Sequence, residues 1–149
     1  MTTRVINTHT GADLVYDNAR IAAFLHEHLQ EYGDPVGAIT KAIEYSQQKN
    51  LGRGGFTLLA LDEDTEDIIG AVVINETNMG GYIPENILVY IAVHQERRGE
   101  GLGGRLMTEA IDLCQGDIAL HVEKDNPAKF LYEKLGFTNP YLEMRLKRS

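Results

Sequence analysis

The sequence has very little cysteine and no long apolar run. Among its 149 residues Cys114 is the single cysteine, so no disulfide can form within the chain and a reducing compartment is expected. No apolar stretch approaches the roughly 18 residues that a membrane-spanning helix needs. The first residues also lack the apolar region of a signal peptide. These absences predict a cytoplasmic protein without a membrane segment.

Positive charge is scarce as well. Fourteen basic and 22 acidic residues give a formal net charge of −8. Nucleic acids and anionic membranes attract proteins through a positive field, so we expect neither as a partner. The acidic balance is compatible with a cationic acceptor such as an amine, although acidity also serves solubility alone.

Repeats, low-complexity tracts and Pro- or Ser-rich linkers are all lacking, which predicts a single domain over residues 1–149. Hydrophobic periodicity and turn residues then predict the order β-α-α-β-β-β-α-β-α-β, an α/β domain on a mixed sheet. The expected elements are a strand at 4–7, helices from Asp17 and Asp34, strands at 56–61, 68–74 and 87–93, a helix at 101–115, a strand at 118–122, a helix at 127–135 and a strand at 141–146.

Two local patterns carry further expectations. Asp34 is predicted to cap the second helix with Pro35 at its first position, and Val36, Ile39 and Ile43 to form its buried face. The run 52–55, Gly-Arg-Gly-Gly, is expected to break the chain. The run 87–93 is apolar throughout, which is typical of a central strand covered on both faces.

The most informative stretch runs from Val93 to Arg105, where a buried strand ends and closely spaced glycines open a helix. Glycines allow close backbone approach to a ligand, and the free N–H groups of a first helical turn favour an anion. Arg97, Arg98 and Arg105 add positive charge, so the turn predicts a phosphate or pyrophosphate site.

Two ligand patterns fit this turn. Residues 99–104 satisfy G-x-G-x-x-G, with Glu123 placed where a ribose-binding acid of a dinucleotide fold would be. The same turn satisfies [QR]-x-x-G-x-G through Arg98, Gly101 and Gly103. The dinucleotide pattern is disfavoured because five residues separate Val93 from Gly99 and because two helices and a hairpin precede the turn.

The segment after the next strand decides between them. Residues 126–137, Asn-Pro-Ala-Lys-Phe-Leu-Tyr-Glu-Lys-Leu-Gly-Phe, resemble the signature N-x-x-A-x-x-[FL]-Y-E-K-x-G-F of the GNAT (Gcn5-related N-acetyltransferase) superfamily. In that superfamily [QR]-x-x-G-x-G is the coenzyme A motif. The resemblance is strong over Ile87–Phe137 and rests on the order of elements elsewhere.

The resemblance implies a mixed central sheet flanked by helices, with two parallel strands, 87–93 and 118–122, splaying apart to hold acetyl-CoA. Residues 138–149 leave room only for a shortened C-terminal hairpin. The backbone of Ile91 and Val93 would pair with the pantetheine arm, and the amides of 98–104 would hold the pyrophosphate. The cofactor-binding residues it implies are Ile91, Ala92, Val93, Arg98, Gly99, Glu100, Gly101, Leu102, Gly103, Gly104, Arg105 and Asn126.

The implied reaction is direct attack of a primary amine, of a small molecule or a peptide, on the acetyl thioester. A backbone N–H near Val93 or His94 would stabilise the oxyanion, and Tyr132 would protonate the leaving thiolate. The strand carboxylate that some members use as base is replaced by Ile87, so Glu85 is the proposed base. Glu76, Tyr82 and His121 are weaker candidates.

Some alternatives stay open. Cys114 could form an acetyl-cysteine, but its place on the apolar helix face favours a buried side chain. His26 and His28 face different directions on a helix, so no metal site is expected. The missing strand carboxylate leaves room for a non-catalytic acetyl-CoA-binding sensor or interaction module. The short hairpin predicts an open acceptor site, or one completed by the 76–85 loop or by a homodimer partner.

Overall fold

The computed structural model describes residues 1–48 and 54–148, so the predicted chain break at 52–55 lies partly outside the described residues. Short 3₁₀ turns lie at Gln30–Tyr32 and Gln95–Arg97. The remaining elements are β1 (Thr2–Asn7), α1 (Asn18–Leu29), α2 (Val36–Tyr45), β2 (Gly55–Leu61), β3 (Ile68–Glu76), β4 (Asn86–Val93), α3 (Leu102–Leu113), β5 (Ile118–Leu120) and α4 (Ala128–Lys134).

The strands form one mixed sheet in the order β1-β2-β3-β4-β5. The first four are antiparallel neighbours, and the predicted β2–β3 hairpin is confirmed, with Leu58 opposite Val72. β5 lies parallel to β4, which requires the crossover that α3 provides. The α/β class with a mixed sheet flanked by helices is therefore confirmed.

Two apolar layers cover the faces of the sheet. One joins α1 and α2 to the sheet through Ile21, Leu25, Ile39 and Ile43, all fully buried. The other joins α3 and α4 to the opposite face. The sheet is thus sandwiched between two helical pairs.

A β-bulge interrupts β4 at Val89. Tyr90 pairs with Val73 and Leu88 with Ile74, so Val89 has no counterpart on β3. Leu88 packs toward α3, whereas Val89 and Tyr90 both pack toward α1 and α2. After the bulge, the alternation of β4 side chains between the two faces of the sheet is therefore shifted by one residue. Ile87, which the sequence predicted to be covered, is 37% exposed. Such bulges bend a strand and recur next to functional sites.

The start of α1 is as predicted, but the start of α2 differs. Asp17 caps α1 by accepting the Arg20 amide at 2.8 Å. At α2 the cap is Pro35, whose carbonyl accepts the first helical hydrogen bonds. Asp34 is not the cap, because its carboxylate is engaged by the Tyr90 hydroxyl at 2.5 Å.

The predicted buried face of α2 is only partly correct. Ile39 and Ile43 are fully buried, whereas Val36 is 46% exposed. Val36 is the first residue of the helix, where the turn still projects beyond the sheet.

The predicted strand at 141–146 is wrong. Residues 138–148 belong to no helix or strand and are exposed throughout. An isolated strand has no partner for its backbone N–H and C=O groups, and among the described residues no strand lies alongside this one. No described helix is both long enough and apolar enough to cross a membrane.

Candidate active site

A gap opens between the carboxyl ends of β4 and β5. The two strands pair only over Asn86–Leu88 and Ile118–Leu120. β4 then continues through the bulge to Val93 with no β5 residue beside it. The splay that the sequence resemblance implies is thus present, and it begins at the bulge.

The backbone of Ile91 and Val93 faces this gap. The His94 amide donates to the Ile69 carbonyl at 2.8 Å, which makes His94 and Ile69 a hydrogen-bonded pair of the antiparallel ladder. Such pairs alternate along a ladder, so Ala92 also bonds to β3 while Val93 and Ile91 turn their peptide groups away from it. The His94 amide is thereby already engaged, so of the two amides predicted as oxyanion donors only that of Val93 faces the gap.

The glycine-rich turn presents free amides at the same end of β4. Gly99 and Gly101 have φ of +83° and +79°, values that only glycine adopts without strain. Gly101 is the N-cap of α3 and offers no side chain to cap it. The first helical bond runs from the Arg105 amide to the Gly101 carbonyl at 3.2 Å. The amides of residues 102–104 precede that bond and so have no partner within the helix, which suits an anion.

The three arginines of the turn have different roles. Arg97 bonds to Asp62 at 2.8 Å and to Glu100 at 3.1 Å. Two backbone amides and Arg97 lower the pKa of Asp62 to about 2, so this ion pair persists at neutral pH. Arg98 donates to the His28 carbonyl at 2.6 Å and to the Val93 carbonyl at 3.4 Å, and thereby ties α1 to the end of β4.

Arg105 is exposed and lines a groove of about 710 Å³ between α3 and α4. The groove also contains Gly101 and Gly104 of the turn, and the Lys134 side chain, which the sequence reasoning did not single out. Leu131 and Leu135 supply its apolar part. Glu109 and Asp112 line it as well, so the groove carries two cations and two carboxylates beside the free amides of α3.

Tyr132 and Asn126 lie on and before α4. Asn126 accepts the Ala128 amide at 2.9 Å in the turn that leads into α4, and the N-cap of that helix is Pro127, whereas the residue type had suggested Asn126. Tyr132 is 7% exposed, lies in the same apolar layer as Ile91 and Val93, and packs its ring against the edge of Phe137. No side-chain polar atom in the described part of the chain is both sealed from solvent and unpaired. The Tyr132 hydroxyl, which has no hydrogen bond to a described residue, therefore opens onto accessible space, while burial raises the pKa of the phenol.

Glu85 is not brought together with these groups. It precedes β4, about 20 Å along the strand from Ile91 at the usual rise per residue. Its carboxylate accepts the Asp117 amide at 3.1 Å. Glu76 and Tyr82 lie at the same distant end of β4, and His121 is exposed just after β5.

Cys114 ends α3, half-buried in the apolar layer under α3 and α4. Burial raises the pKa of its thiol to about 11, so the thiol is protonated and a poor nucleophile at neutral pH. This placement agrees with the expectation that Cys114 is a buried side chain of the apolar helix face.

Two histidines stack beside the turn, a contact that the sequence did not reveal. The ring centroids of His28 and His94 are 4.2 Å apart, and Phe24 packs against His28 at 4.6 Å. His28 is 4% exposed and accepts the Gln95 amide at 3.2 Å. Burial, and next the nearby His94, lower the pKa of His28, so it is neutral in the folded protein.

The α1–α2 loop crosses the gap on the opposite face from α3. Its Asp34 is held by Tyr90 of β4, while its Tyr32 donates to the Asp125 carbonyl, beyond β5, at 3.4 Å. These contacts join residues 56 and 93 positions apart, so no local sequence signal could have shown them. Glu31, Glu123 and Asp125 lie near enough to Tyr32 to raise its pKa together with desolvation, the larger cause. The gap therefore has an acidic border.

Comparison with known proteins identifies this arrangement. The sequence model of the Acetyltransferase (GNAT) family matches residues 18–137, a range that includes the bulged strand, the glycine-rich turn and α4. The chain belongs to the GNAT family. Its GNAT fold is shared with the crystal structure of a probable acetyltransferase, with a TM-score of 0.70 and 17% identity over 100% of this chain and 99% of that one.

The names of two further relatives specify an activity or a bound molecule. This GNAT chain is 32% identical over 87 residues to N-alpha-acetyltransferase 30 of Schizosaccharomyces pombe. The matched region covers 55% of this chain and 57% of that protein. It also resembles a chain of the NatC complex bound to Gag peptide and CoA, with a TM-score of 0.65 and 21% identity over 99% of this chain and 88% of that one. The chain thus spans little more than half the length of the first of these relatives.

Proposed function

We propose that this GNAT chain transfers an acetyl group from acetyl-CoA to a primary amine while both substrates are bound. The observation that carries the proposal is the position of two sets of backbone groups at the same edge of the molecule. The Ile91 and Val93 peptide groups face the β4–β5 gap, and the start of α3, which no side chain caps, adjoins that gap. An extended amide-containing arm with a pyrophosphate at one end matches both features.

The residues present fit acetyl-CoA. The peptide groups of Ile91 and Val93 bind its arm as an added strand would. The amides of 102–104 receive the pyrophosphate, with Gly99 and Gly101 shaping the turn. Asn126 lies in the turn before α4, on the other side of the gap. Arg105 and Lys134 are the cations of the groove, which also contains Glu109 and Asp112. Arg97 and Arg98 are already engaged by other groups of the protein.

Acetyl-CoA supplies an activated thioester, and the chain's own groups handle the charges that the transfer creates. The Val93 amide points into the gap, where it stabilises negative charge developing on a carbonyl oxygen. The Tyr132 hydroxyl is protonated at neutral pH, as an ordinary phenol is, and burial raises its pKa further, so it has a proton to give to a departing thiolate.

The acceptor is an amine that is protonated in solution and releases one proton to water before its lone pair attacks the thioester. The α-amine of a peptide is the acceptor that the names of the relatives suggest. One relative is named an N-alpha-acetyltransferase and the other was solved with a peptide and CoA. In this chain the acidic border of the gap attracts an ammonium group. Asp34, fixed by Tyr90 in the loop that crosses the gap, is the carboxylate that we assign to contact it.

Glu85, the base that the sequence analysis proposed, does not contact the reacting groups in this proposal. Its distance from Ile91 and its bond to the Asp117 amide mean that it would act as base only through a chain of water molecules. Glu85→Gln tests this: an unchanged pH profile of kcat/KM would remove Glu85 from the mechanism.

An amine panel scored by release of coenzyme A thiol tests the function as a whole. The panel contains small amines, amino acids and short peptides with free N-termini, and wild type is assayed beside Tyr132→Phe. We expect turnover with peptides and a slower variant. Tight acetyl-CoA binding without turnover on any amine would instead support the non-catalytic binding module.

A further inference from the structure

Two imidazole rings hold the turn at 95–98, which joins the end of β4 to the glycines. The Gln95 amide donates to Nδ1 of His28 at 3.2 Å, and the Glu96 amide donates to Nδ1 of His94 at 3.1 Å. The two rings stack on each other, with centroids 4.2 Å apart. Two successive amides of this turn therefore depend on imidazole nitrogens that carry a lone pair.

The surroundings of His28 fix which of its nitrogens accepts. Its Nε2 lies 2.7 Å from the Glu27 carboxylate, to which it donates, so the lone pair of the neutral ring is on Nδ1. The ring is 4% exposed, and Phe24 packs against it at 4.6 Å. His28 is thus held on α1 with its accepting nitrogen toward the turn.

The turn at 95–98 sets the distance between the two groups of amides that face the coenzyme site. On one side it follows Val93, and on the other it leads to Gly99 and the start of α3. Arg98 reinforces the contact with α1, because its guanidinium donates to the His28 carbonyl at 2.6 Å and to the Val93 carbonyl at 3.4 Å. A shift of the turn away from α1 would therefore move the start of α3 relative to β4.

Protonation of His28 would reverse the contact with the turn. An imidazolium donates at both nitrogens, so Nδ1 would present a hydrogen to the first amide of the turn. Burial is the main factor that disfavours this cation and lowers the pKa of His28, and the nearby His94 and Arg98 act in the same direction. Glu27 of α1 and Glu96 of the turn favour the cation and oppose that shift. The ring is therefore neutral at physiological pH and takes up a proton on acidification.

We propose that His28 is a positioning residue for the coenzyme: its neutral ring holds the 95–98 turn in the conformation that binds acetyl-CoA, and acid releases the turn. The inference rests on the cofactor part of the proposed function and assigns a residue of α1 to it. Affinity for acetyl-CoA is full while the ring is neutral, and it falls once the ring takes up a proton.

Substitutions at His28 test the accepting nitrogen. His28→Leu removes it and keeps an apolar side chain, whereas His28→Asn offers an amide oxygen in its place and cannot be protonated. Calorimetric titration of the full chain at about pH 7.5 should give about three- to tenfold weaker acetyl-CoA binding for His28→Leu, the range expected for one hydrogen bond, and binding close to wild type for His28→Asn. His26→Leu, at an exposed histidine of the same helix, is the matched control and should bind like wild type. Equal affinities of His28→Leu and wild type would overturn the proposal.

The pH profile separates protonation from packing. The Kd for acetyl-CoA is measured for wild type and His28→Asn between about pH 5 and 8, over the part of this range in which circular dichroism shows both to be folded. The ratio of the wild-type Kd to that of His28→Asn should be constant above about pH 6.5 and rise below it, by up to about tenfold per pH unit for one linked proton. The phosphate monoester of the ligand titrates near pH 6 in both experiments, so its effect cancels in the ratio.

The two proposals fail in different ways. Acetyl-CoA binding by wild type with a ratio that does not change with pH would overturn the role of His28 alone. Absence of acetyl-CoA binding by wild type at every pH would overturn the proposed function, and the role of His28 with it.

Discussion

Replacing Gly101 by alanine isolates the backbone geometry that opens α3. Gly101 has φ of +79°, and a Cβ added there meets nothing within 4 Å. The substitution therefore introduces no clash, and its cost is that of holding an L-residue in the left-handed region, about 1–2 kcal/mol. For a domain of this size that loss lowers Tm by about 3–6 °C.

Gly37→Ala is the matched control. Gly37 lies in α2, a Cβ there also meets nothing within 4 Å, and its φ is not in the left-handed region. Alanine should therefore stabilise the protein by about 0.5–1 kcal/mol. Both variants are compared by thermal and urea denaturation. Equal stabilities for Gly101→Ala and wild type would refute the claim that the turn needs a left-handed residue at this position.

Other expectations concern the site itself. Tyr132→Phe should lower kcat by about 100-fold while leaving the acetyl-CoA-induced rise in Tm intact; a full-speed variant would exclude the acid role. Cys114→Ser should turn over like wild type, and iodoacetamide should label Cys114 slowly at pH 8, because the pKa of the thiol is raised to about 11. Asp34→Asn should raise the KM for amines about two- to fivefold without changing acetyl-CoA affinity, with Tyr90→Phe giving a smaller effect; an unchanged KM in Asp34→Asn would remove the carboxylate from the acceptor site. Since burial lowers the pKa of His28, the unfolded chain protonates first on acidification, so the free energy of unfolding should hold above about pH 6.5 and fall below it. Urea titrations of His28→Gln should show a shallower fall, and identical slopes would exclude the histidine.

The glycine-rich turn and α4, to which the cofactor is proposed to bind, could be predicted because their signals are local. The turn at 99–104 and the helix α4 depend on glycine geometry, capping and periodicity within short windows, and the structure contains both. The order of strands followed from the same patterns.

The acceptor half depends on distant contacts. Asp34 resembled a helix cap, but the Tyr90 hydroxyl, 56 residues away, engages its carboxylate. Arg97 resembled a phosphate ligand, but Asp62, 35 residues away, pairs with it. Alternation alone predicted a strand at 141–146, whereas a strand also requires a paired neighbour, and no strand of the described residues pairs with this segment.

Residue-resolved hydrogen exchange with and without acetyl-CoA tests the central claim most directly. The Ile91 and Val93 amides face the gap, while the Ala92 amide between them faces β3 and serves as an internal control. We predict that acetyl-CoA slows exchange at Ile91, Val93 and residues 102–104, leaves Ala92 as slow as before, and that NADH changes none of them. Binding of acetyl-CoA without added protection at Ile91 and Val93 would contradict the account.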